Sequence, residues 1–221
     1  MFNRINVIGS GRVGSALTAR LRERGVAVGD EAPELVLLAV PDTAIAGVAR
    51  GLQPGPWVAH VSGATPLAAL DPHVRRFSVH PLQTFTVRRG AEQFDGAWGA
   101  VTGESDEARA TATWLAETLG LRPFALDDAA RTLYHAGAVF ASNYVVTLQR
   151  AAALLVGEAG VPAEALVPLM LRTIENDFEL TGPISRGDWA VVEAHKAAIR
   201  AARPELEHLY ETLAGATVAL A

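Results

Sequence analysis

The feature that most constrains this chain is a short apolar segment that leads into three regularly spaced glycines. Residues 5–8 precede Gly9, Gly11 and Gly14 in the spacing Gly-x-Gly-x-x-Gly, and a helical pattern follows over residues 12–24. The first glycine permits the tight turn, the second lets the backbone approach a diphosphate, and the third lets the helix pack against the strand. Free amides at the helix start favour an anion. The pattern predicts a dinucleotide-binding turn; the alternative is a glycine turn that binds nothing.

An acidic residue follows at the distance expected of a ribose contact. Residues 26–28 read as a second strand, and Asp30 comes 21 positions after Gly9. An acid about 20 residues beyond the first glycine commonly binds the adenosine ribose hydroxyls. A simple turn aspartate is the alternative. The next strand, residues 35–40, begins almost at once, so the usual crossover helix is missing or rerouted where adenine would bind.

Later patterns complete a two-part organisation. Further strands are predicted near 58–61, 77–79, 98–102 and 122–126, and from residue 128 the apolar residues recur at helical steps of three and four. The sequence therefore predicts an α/β fold. A Rossmann-like, mostly parallel sheet domain occupies residues 1–127, and an all-helical domain for substrate binding and dimerisation occupies residues 128–221.

Two side chains at predicted strand ends could carry chemistry. The carboxyl ends of parallel strands form the ligand crevice of open α/β sheets, so the loops after Gly9, Val40 and the next two strands should converge. Ser62 and His80 follow those two strands. Histidine exchanges protons near neutral pH with little tuning. The structural alternatives are a capping serine and a loop histidine bonded to a carbonyl group.

The predicted long helix and one loop supply other candidates. At 100° per residue, Arg131 and His135 lie opposite the apolar stripe, with Asn143 beside that polar face. Such a face lines a wet cleft or is simply solvated. Arg186 lies in an irregular loop, where its planar fork could bind a carboxylate. Pairing of Arg186 with Asp188 is the alternative.

Composition excludes several classes of function. The net charge is −5 without a basic run, which argues against nucleic acid as a partner. The chain has no cysteine, and its histidines lack metal-ligand spacing, so we expect no metal site. We found no apolar run of about 18 residues and no signal peptide, so no membrane association is expected. The cytoplasm is the simplest compartment.

Eight ordered motifs then suggest a family. They span nearly the whole chain: Gly9–Gly14, Leu37–Asp42, His60–Gly63, His80–Phe85, Tyr134-His135, Ser142–Tyr144, Thr181–Pro183, and Arg186–Asp188 with His195. In these motifs the chain resembles a bacterial family of Rossmann-like proteins with a helical C-terminal domain of long-unassigned function, in a ketopantoate-reductase-like branch. The wider group is that of 6-phosphogluconate dehydrogenase, pyrroline-5-carboxylate reductase and prephenate dehydrogenase.

The resemblance implies a homodimer with intertwined helical domains and a nicotinamide cofactor. Ser62 and the His80-Pro81 pair resemble the serine and His-Pro of prephenate dehydrogenases, whose histidine contacts the reacting oxygen. The chain departs from the hydroxyacid dehydrogenases of the group because its long helix lacks their lysine; His135 and Asn143 are the nearest substitutes. Asp30 would repel a 2′-phosphate and favours NAD, whereas the resemblance favours NADP.

We therefore predict an NAD(P)-dependent oxidoreductase that acts on a small carbonyl or hydroxy acid. Its alternatives are a non-catalytic nucleotide-binding or scaffold protein and a prephenate-dehydrogenase-like oxidative decarboxylase. The predicted catalytic residues are His80, Asn143, His135 and Ser62, and Arg186 would bind the substrate carboxylate. The predicted cofactor-binding residues are Gly9, Ser10, Gly11, Arg12, Val13, Gly14, Asp30, Val40, Pro41, Asp42 and Gly63.

Overall fold

The computed structural model describes residues 2–220, which form two compact units. Of the described residues, 2–140 belong to the first unit and 141–220 to the second. The boundary predicted from the sequence, after residue 127, marks the end of the sheet. The first unit continues beyond it through one further helix.

Seven strands and eight α-helices make up most of the described chain. The strands are β1 (Arg4–Ile8), β2 (Ala27–Val28), β3 (Leu35–Leu38), β4 (Trp57–His60), β5 (Arg76–Leu82), β6 (Trp98–Gly103) and β7 (Arg122–Ala125). The α-helices are α1 (Arg12–Glu23), α2 (Asp42–Arg50), α3 (Asp106–Leu119), α4 (Arg131–Val139), α5 (Val145–Glu158), α6 (Leu166–Glu175), α7 (Trp189–Ala202) and α8 (Glu207–Leu220). Short 3-10 turns at Leu67–Leu70, Ala91–Phe94, Asp128–Ala130, Ala163–Ala165 and Pro204–Leu206 connect them.

The strands form one mostly parallel sheet in the order β2-β1-β3-β4-β5-β6-β7. Strands β1 to β5 are parallel, β6 runs antiparallel to β5, and β7 is parallel to β6. The predicted fold class is confirmed. The carboxyl ends of β1, β3, β4 and β5 lie side by side at one edge of the sheet, which is where ligands bind in open α/β sheets.

Helices cover both faces of this sheet, as parallel strands require. On one face the core includes Leu17 of α1 and Leu115 of α3, packed with inward-facing sheet residues such as Phe77. The smaller core on the other face includes Ile45 of α2 and Leu67. All four residues of β3 are buried, so this central strand reads as a continuous apolar run rather than an alternating one.

Strand β5 is longer than the sequence pattern suggests. It includes His80 and Pro81, which were expected just after the strand. Strand β4 pairs only with residues 76–78, whereas β6 pairs with β5 as far as Leu82. The second half of β5 therefore has a neighbour on one side only, and proline is tolerated at such a local edge because no ladder hydrogen bond is lost there.

Residues 131–158 are helical throughout but do not form a regular α-helix. Residues 140–144 adopt a π turn between α4 and α5. A π turn contains one extra residue, so the uniform 100° projection used for this helix does not hold beyond residue 139. Residues 128–158 are also the one helical segment between residues 2 and 220 that is long and apolar enough to cross a membrane, with a mean hydropathy of 1.3 over an 18-residue window. Length and composition alone are weak evidence for such a role.

A second departure concerns Pro168. From the sequence alone, Pro162 at a helix start and Pro168 within the pattern predict one helix from 162 to about 179 with a kink at Pro168. The structure instead begins with a 3-10 turn over 163–165, and α6 starts at Leu166. Pro168 therefore lies in the first turn of α6, where its missing amide hydrogen costs no intrahelical bond.

The second unit buries few apolar side chains of its own. Among its described residues, only Val192 and Ile199 of α7 are buried hydrophobics. Large apolar side chains on several of its helices are exposed instead: Leu148, Leu154, Val167, Leu169, Leu171, Ile174, Trp189, Leu213 and Val218.

Candidate active site

The glycine turn between β1 and α1 has the geometry that a diphosphate site requires. Gly9 has φ +116°, and a side chain there would collide with the Ala39 carbonyl group. A side chain on Gly14 would collide with Gly9 itself. At Gly11, by contrast, the direction of a Cβ is open, with no atom within 4 Å. Two glycines thus serve close packing, and the third leaves room for a ligand against the backbone.

The start of α1 suits an anion. The helix is 12 residues long, has no side chain capping its first amides and carries no acidic residue in its first turn. Arg12 and Val13 begin the helix, and the Ser10 carbonyl oxygen accepts a hydrogen bond from the Ser15 hydroxyl. These residues fit the pyrophosphate of a dinucleotide.

A short loop replaces the crossover helix between β2 and β3. Glu34 accepts hydrogen bonds from the amides of Asn3 and Arg4, and these bonds lower its pKa. The Arg4 guanidinium donates to the Glu31 carbonyl oxygen at 2.7 Å. The loop is therefore fastened to the start of β1. Asp30 is exposed at the end of β2, as a ribose contact would need to be.

The serine that follows β4 is engaged in local structure. Ser62 Oγ lies 2.8 Å from Asp42 Oδ2 and accepts hydrogen bonds from the amides of Ala64 and Thr65. The serine thereby links the loop after β4 to Asp42, the first residue of α2. Val40 and Pro41 connect the end of β3 to this helix. These bonds are those expected of a capping serine, the structural alternative considered for Ser62.

Two histidines meet above Gly63 at the same edge of the sheet. The rings of His80, on β5, and His135, on α4, have centroids 5.9 Å apart and an interplanar angle of 72°. A Cβ at Gly63 would lie 2.5 Å from His135 Cδ2 and 2.9 Å from His80 Nε2. Gly63 therefore allows both rings to approach the backbone, a packing role in addition to the cofactor contact predicted from the sequence.

Tyr134 holds the other side of the His80 ring. Its hydroxyl group lies 2.7 Å from His80 Nδ1, and the two rings meet edge to face at 5.5 Å. Phe124 packs against the tyrosine at 5.9 Å. Tyr134 was not among the predicted site residues. The only indication in the sequence is that Tyr134 is adjacent to His135. Its hydrogen bond with His80 could not be predicted, because 54 positions separate the two residues in the chain.

A buried arginine fixes α4 to the sheet. The Arg131 side chain is 1% exposed, and its Nη1 donates to Ser78 Oγ at 2.6 Å and to Thr102 Oγ1 at 2.9 Å. Nη2 donates to the Ser62 carbonyl oxygen, and Asp128 Oδ1 lies 3.9 Å from Nε. Arg131 was placed on a solvated or cleft-lining face from the sequence; the structure instead buries it, which removes it from contact with a substrate.

The surroundings of His80 and His60 keep both imidazoles neutral. Burial, His135 and Arg131 together lower the pKa of His80 to about 4. Burial and Arg131 lower the pKa of the fully buried His60 to about 3. Burial raises the pKa of Tyr134 to about 12, so its hydroxyl group stays protonated. At pH 7 the cluster therefore presents a neutral imidazole hydrogen-bonded to a neutral phenol.

Two predicted residues belong to the second unit. Asn143 is exposed within the π turn, and its Oδ1 accepts a hydrogen bond from Ser142. Arg186 is exposed, and its Nε lies 2.9 Å from Asp188 Oδ2, which is the pairing considered as the alternative. An exposed pair of this kind contributes about 0–1 kcal/mol, so a competing carboxylate could displace Asp188 at little cost. No cluster that could hold a metal ion occurs among residues 2–220.

Comparison with known protein families decides the classification. Residues 97–217 match the model described as Domain of unknown function (DUF2520), which is more than half of the chain. The chain belongs to the DUF2520 family. The matched region begins at β6 and includes Tyr134 and His135 of the histidine cluster. No curated protein matches this DUF2520 chain.

Solved structures share the fold at low sequence identity. A Bacteroides fragilis protein whose name proposes an NADP oxidoreductase has 22% identity and a TM-score of 0.83, with 98% of both chains covered. A reductive aminase from Aspergillus terreus, solved with NADPH and ethyl-5-oxohexanoate, has 14% identity and a TM-score of 0.70, covering 99% of this chain and 94% of its own.

The 1-pyrroline-5-carboxylate reductase from Streptococcus pyogenes has 16% identity and a TM-score of 0.63, with 96% of this chain and 98% of the reductase covered. The DUF2520 chain thus has the fold of a Rossmann-like oxidoreductase group that includes pyrroline-5-carboxylate reductase, a group that the sequence motifs had indicated. The Bacteroides fragilis protein is named for NADP, and the reductive aminase was solved with NADPH.

Proposed function

We propose that this protein is an NAD(P)-dependent oxidoreductase that transfers a hydride between the nicotinamide and a small carbonyl or hydroxy acid, of the 2-keto acid type that ketopantoate represents. One observation carries the proposal. The His80–His135 pair lies at the carboxyl ends of β4 and β5, on the same sheet edge as the open glycine turn after β1. Reduction of a carbonyl group needs a hydride from a bound cofactor and a proton from the protein. The glycine turn can bind the cofactor, and the histidine pair on the same edge can supply the proton.

The chain's own residues have distinct tasks in this scheme. Gly9 to Gly14 and the start of α1 bind the pyrophosphate, and Asp30 binds the adenosine ribose. Val40, Pro41, Asp42 and Gly63 line the cofactor site, with Ser62 supporting them through Asp42. The bound cofactor supplies the hydride during reduction. Asp30 favours NADH over NADPH because its carboxylate would repel a 2′-phosphate.

The substrate is held and protonated by other groups. His80 gives a proton to the oxygen of the carbonyl group as it is reduced, with His135 beside it. In the second unit, the proposed task of Asn143 is to bind a substrate oxygen, and that of the Arg186 guanidinium is to leave Asp188 and bind a substrate carboxylate. The π turn supports a site at Asn143, because such turns are frequent at functional positions of helices.

We also propose that the protein works as a homodimer formed through its helical unit. Exposed apolar side chains occur on α5, α6, α7 and α8, while two apolar side chains are buried among the described residues of that unit. Obligate dimer interfaces resemble a domain core cut in half, which is the character of these faces. A second copy of the chain covers several helices at once, whereas a membrane would cover only a single apolar segment. The proposed compartment is the cytoplasm, as predicted from the sequence.

Turnover and cofactor binding test the proposed function. The purified protein should bind NADH or NADPH in titration calorimetry and oxidise it in the presence of at least one member of a panel of 2-keto acids. His80→Asn should keep the cofactor affinity and lower turnover about 10²–10⁴-fold, the usual contribution of a positioned acid or base. His208→Asn, at an exposed position of α8, is the control.

The outcomes separate the rival functions. Binding of the cofactor without turnover on any 2-keto acid would favour a nucleotide-sensing or scaffold protein. Near-normal turnover of His80→Asn would indicate that His135, not His80, donates the proton. Release of carbon dioxide from prephenate together with reduction of NAD+ or NADP+ would identify an oxidative decarboxylase.

A further inference from the structure

The hydroxyl group of Tyr134 has one hydrogen-bond partner among residues 2–220, which is His80 Nδ1 at 2.7 Å. The tyrosine ring is fixed between Phe124, at 5.9 Å, and the edge of the His80 ring, at 5.5 Å. The hydroxyl group therefore reaches one side of the imidazole from a firmly packed position. The opposite nitrogen, Nε2, faces Gly63.

Hydrogen-bond accounting selects one tautomer of His80. A phenol carries a single hydrogen, and a neutral imidazole carries one hydrogen on either nitrogen. If Nδ1 carried the imidazole hydrogen, it would donate to the tyrosine oxygen, and the phenol hydrogen would have no protein acceptor. An unsatisfied donor in a half-buried position costs free energy. If Nδ1 accepts the phenol hydrogen, both groups are satisfied. The hydrogen of His80 then resides on Nε2.

Burial and the nearby His135 and Arg131 of α4 keep His80 neutral, against the opposing charge of Asp42 at the start of α2. The other titratable groups near the ring are His60 on β4 and Tyr134 on α4. Because the pKa of His80 is lowered to about 4, the imidazolium is scarce at pH 7. A neutral imidazole that gave up its Nε2 proton would become an anion unless another proton arrived at Nδ1.

We propose that Tyr134 is a positioning residue that fixes His80 with its hydrogen on Nε2, and that its hydroxyl group returns a proton to Nδ1 as Nε2 protonates the substrate. The inference rests on the proposed function. During reduction, the Nε2–H bond breaks as the substrate O–H bond forms, and the Tyr134 O–H bond breaks as an Nδ1–H bond forms. The imidazole stays neutral, changing only its tautomer, and the negative charge of the nascent alkoxide passes to the Tyr134 oxygen.

A buried cation acts electrostatically on that hydroxyl group. Arg131 lies one helical turn before Tyr134 on α4, and its charge lowers the tyrosine pKa against the larger opposing effect of burial. The guanidinium is fixed by its bonds to Ser78, Thr102 and the Ser62 carbonyl group. Arg131 thus stabilises the transient phenolate without touching the substrate.

The tautomer is measured without any ligand. In the unliganded wild-type protein labelled with ¹⁵N-histidine, the His80 ring signals are identified by their loss in His80→Asn. They should show a protonated Nε2 and an unprotonated Nδ1 that accepts a hydrogen bond. In Tyr134→Phe the Nδ1 signal should shift and the single tautomer should become a mixture. A protonated Nδ1 in the wild type would overturn the proposal.

The proton return is measured by pH profiles. With the best 2-keto acid of the panel, wild-type turnover should change less than threefold between pH 6 and 8. In Tyr134→Phe only the scarce imidazolium can donate, so turnover should fall about tenfold for each pH unit over this range. Affinity for the cofactor should be unchanged. A wild-type-like profile in Tyr134→Phe would refute the return of the proton.

The chain offers a matched control. Tyr210 and His195 form a second hydroxyl–Nδ1 bond, at 2.8 Å with rings meeting at 82°, within the helical unit. Tyr210→Phe removes an equivalent bond and should keep the wild-type pH profile. If the wild type turns over no member of the panel, the proposed function fails and the proton return fails with it. The ring spectra still decide, separately, whether Tyr134 sets the tautomer.

Discussion

Gly63 illustrates how one residue can serve a site by having no side chain. Its φ does not require glycine, but both histidine rings occupy the space where a Cβ would project. The sequence suggested a cofactor contact at this position because the residue follows a strand. Which rings would approach it could not be predicted, since His80 and His135 come from elements far apart in the chain.

We expect Gly63→Ala to displace the histidine pair while leaving the fold intact. The new methyl group would meet His80 Nε2 and His135 Cδ2 at distances that require the rings to move. A displacement of this kind should lower turnover on a 2-keto acid at least tenfold, because proton transfer depends on hydrogen-bond distance. Cofactor affinity and the melting temperature are measured alongside.

Gly51→Ala provides the comparison, because the nearest atom to its Cβ would lie at an ordinary 3.5 Å. It should behave like the wild type. Unimpaired turnover in Gly63→Ala would show that the rings do not need this glycine.

At the scale of elements, the strand–turn–helix unit at the N-terminus carries the cofactor prediction. Gly11→Val would place a side chain where the pyrophosphate approaches, in space that is open within the protein. NADH and NADPH binding should therefore be lost in titration calorimetry, with the circular dichroism spectrum unchanged. Gly47→Val, at an exposed and equally open position of α2, should retain binding. Equal affinities of Gly11→Val and the wild type would place the diphosphate elsewhere.

The elements also show what sequence patterns can and cannot supply. The glycine turn and the sheet follow from local rules of spacing, and helix α3 begins by a local capping rule, because the Ser105 side chain accepts a hydrogen bond from the Ala108 amide. The extent of β5 does not, because Pro81 is tolerated only where β4 has already ended. The π turn after α4 could not be predicted either, because apolar periodicity does not reveal one inserted residue. Burial of Arg131 likewise depends on partners from three different strands or loops.

At the scale of the whole molecule, the apolar helical unit leads to a prediction about association. Light scattering at micromolar concentration should give the mass of a dimer. Leu169→Glu, on an exposed and apolar part of α6, should raise the dissociation constant at least tenfold, because a charge would be buried in the interface. Val74→Glu makes a comparable change at a side chain that is 90% exposed in the first unit, and it should leave the dimer intact. A monomeric wild type would contradict the proposal.

The two margins of the sheet limit how the protein can aggregate. Strand β2 consists of two residues, so the margin it forms offers little backbone to another strand. Strand β7 forms the other margin and contains Pro123, which has no amide hydrogen to donate. Short strands and prolines at such positions prevent the open-ended strand addition that leads to fibres. A chain with much apolar surface can therefore associate through its helices without its sheet recruiting further copies.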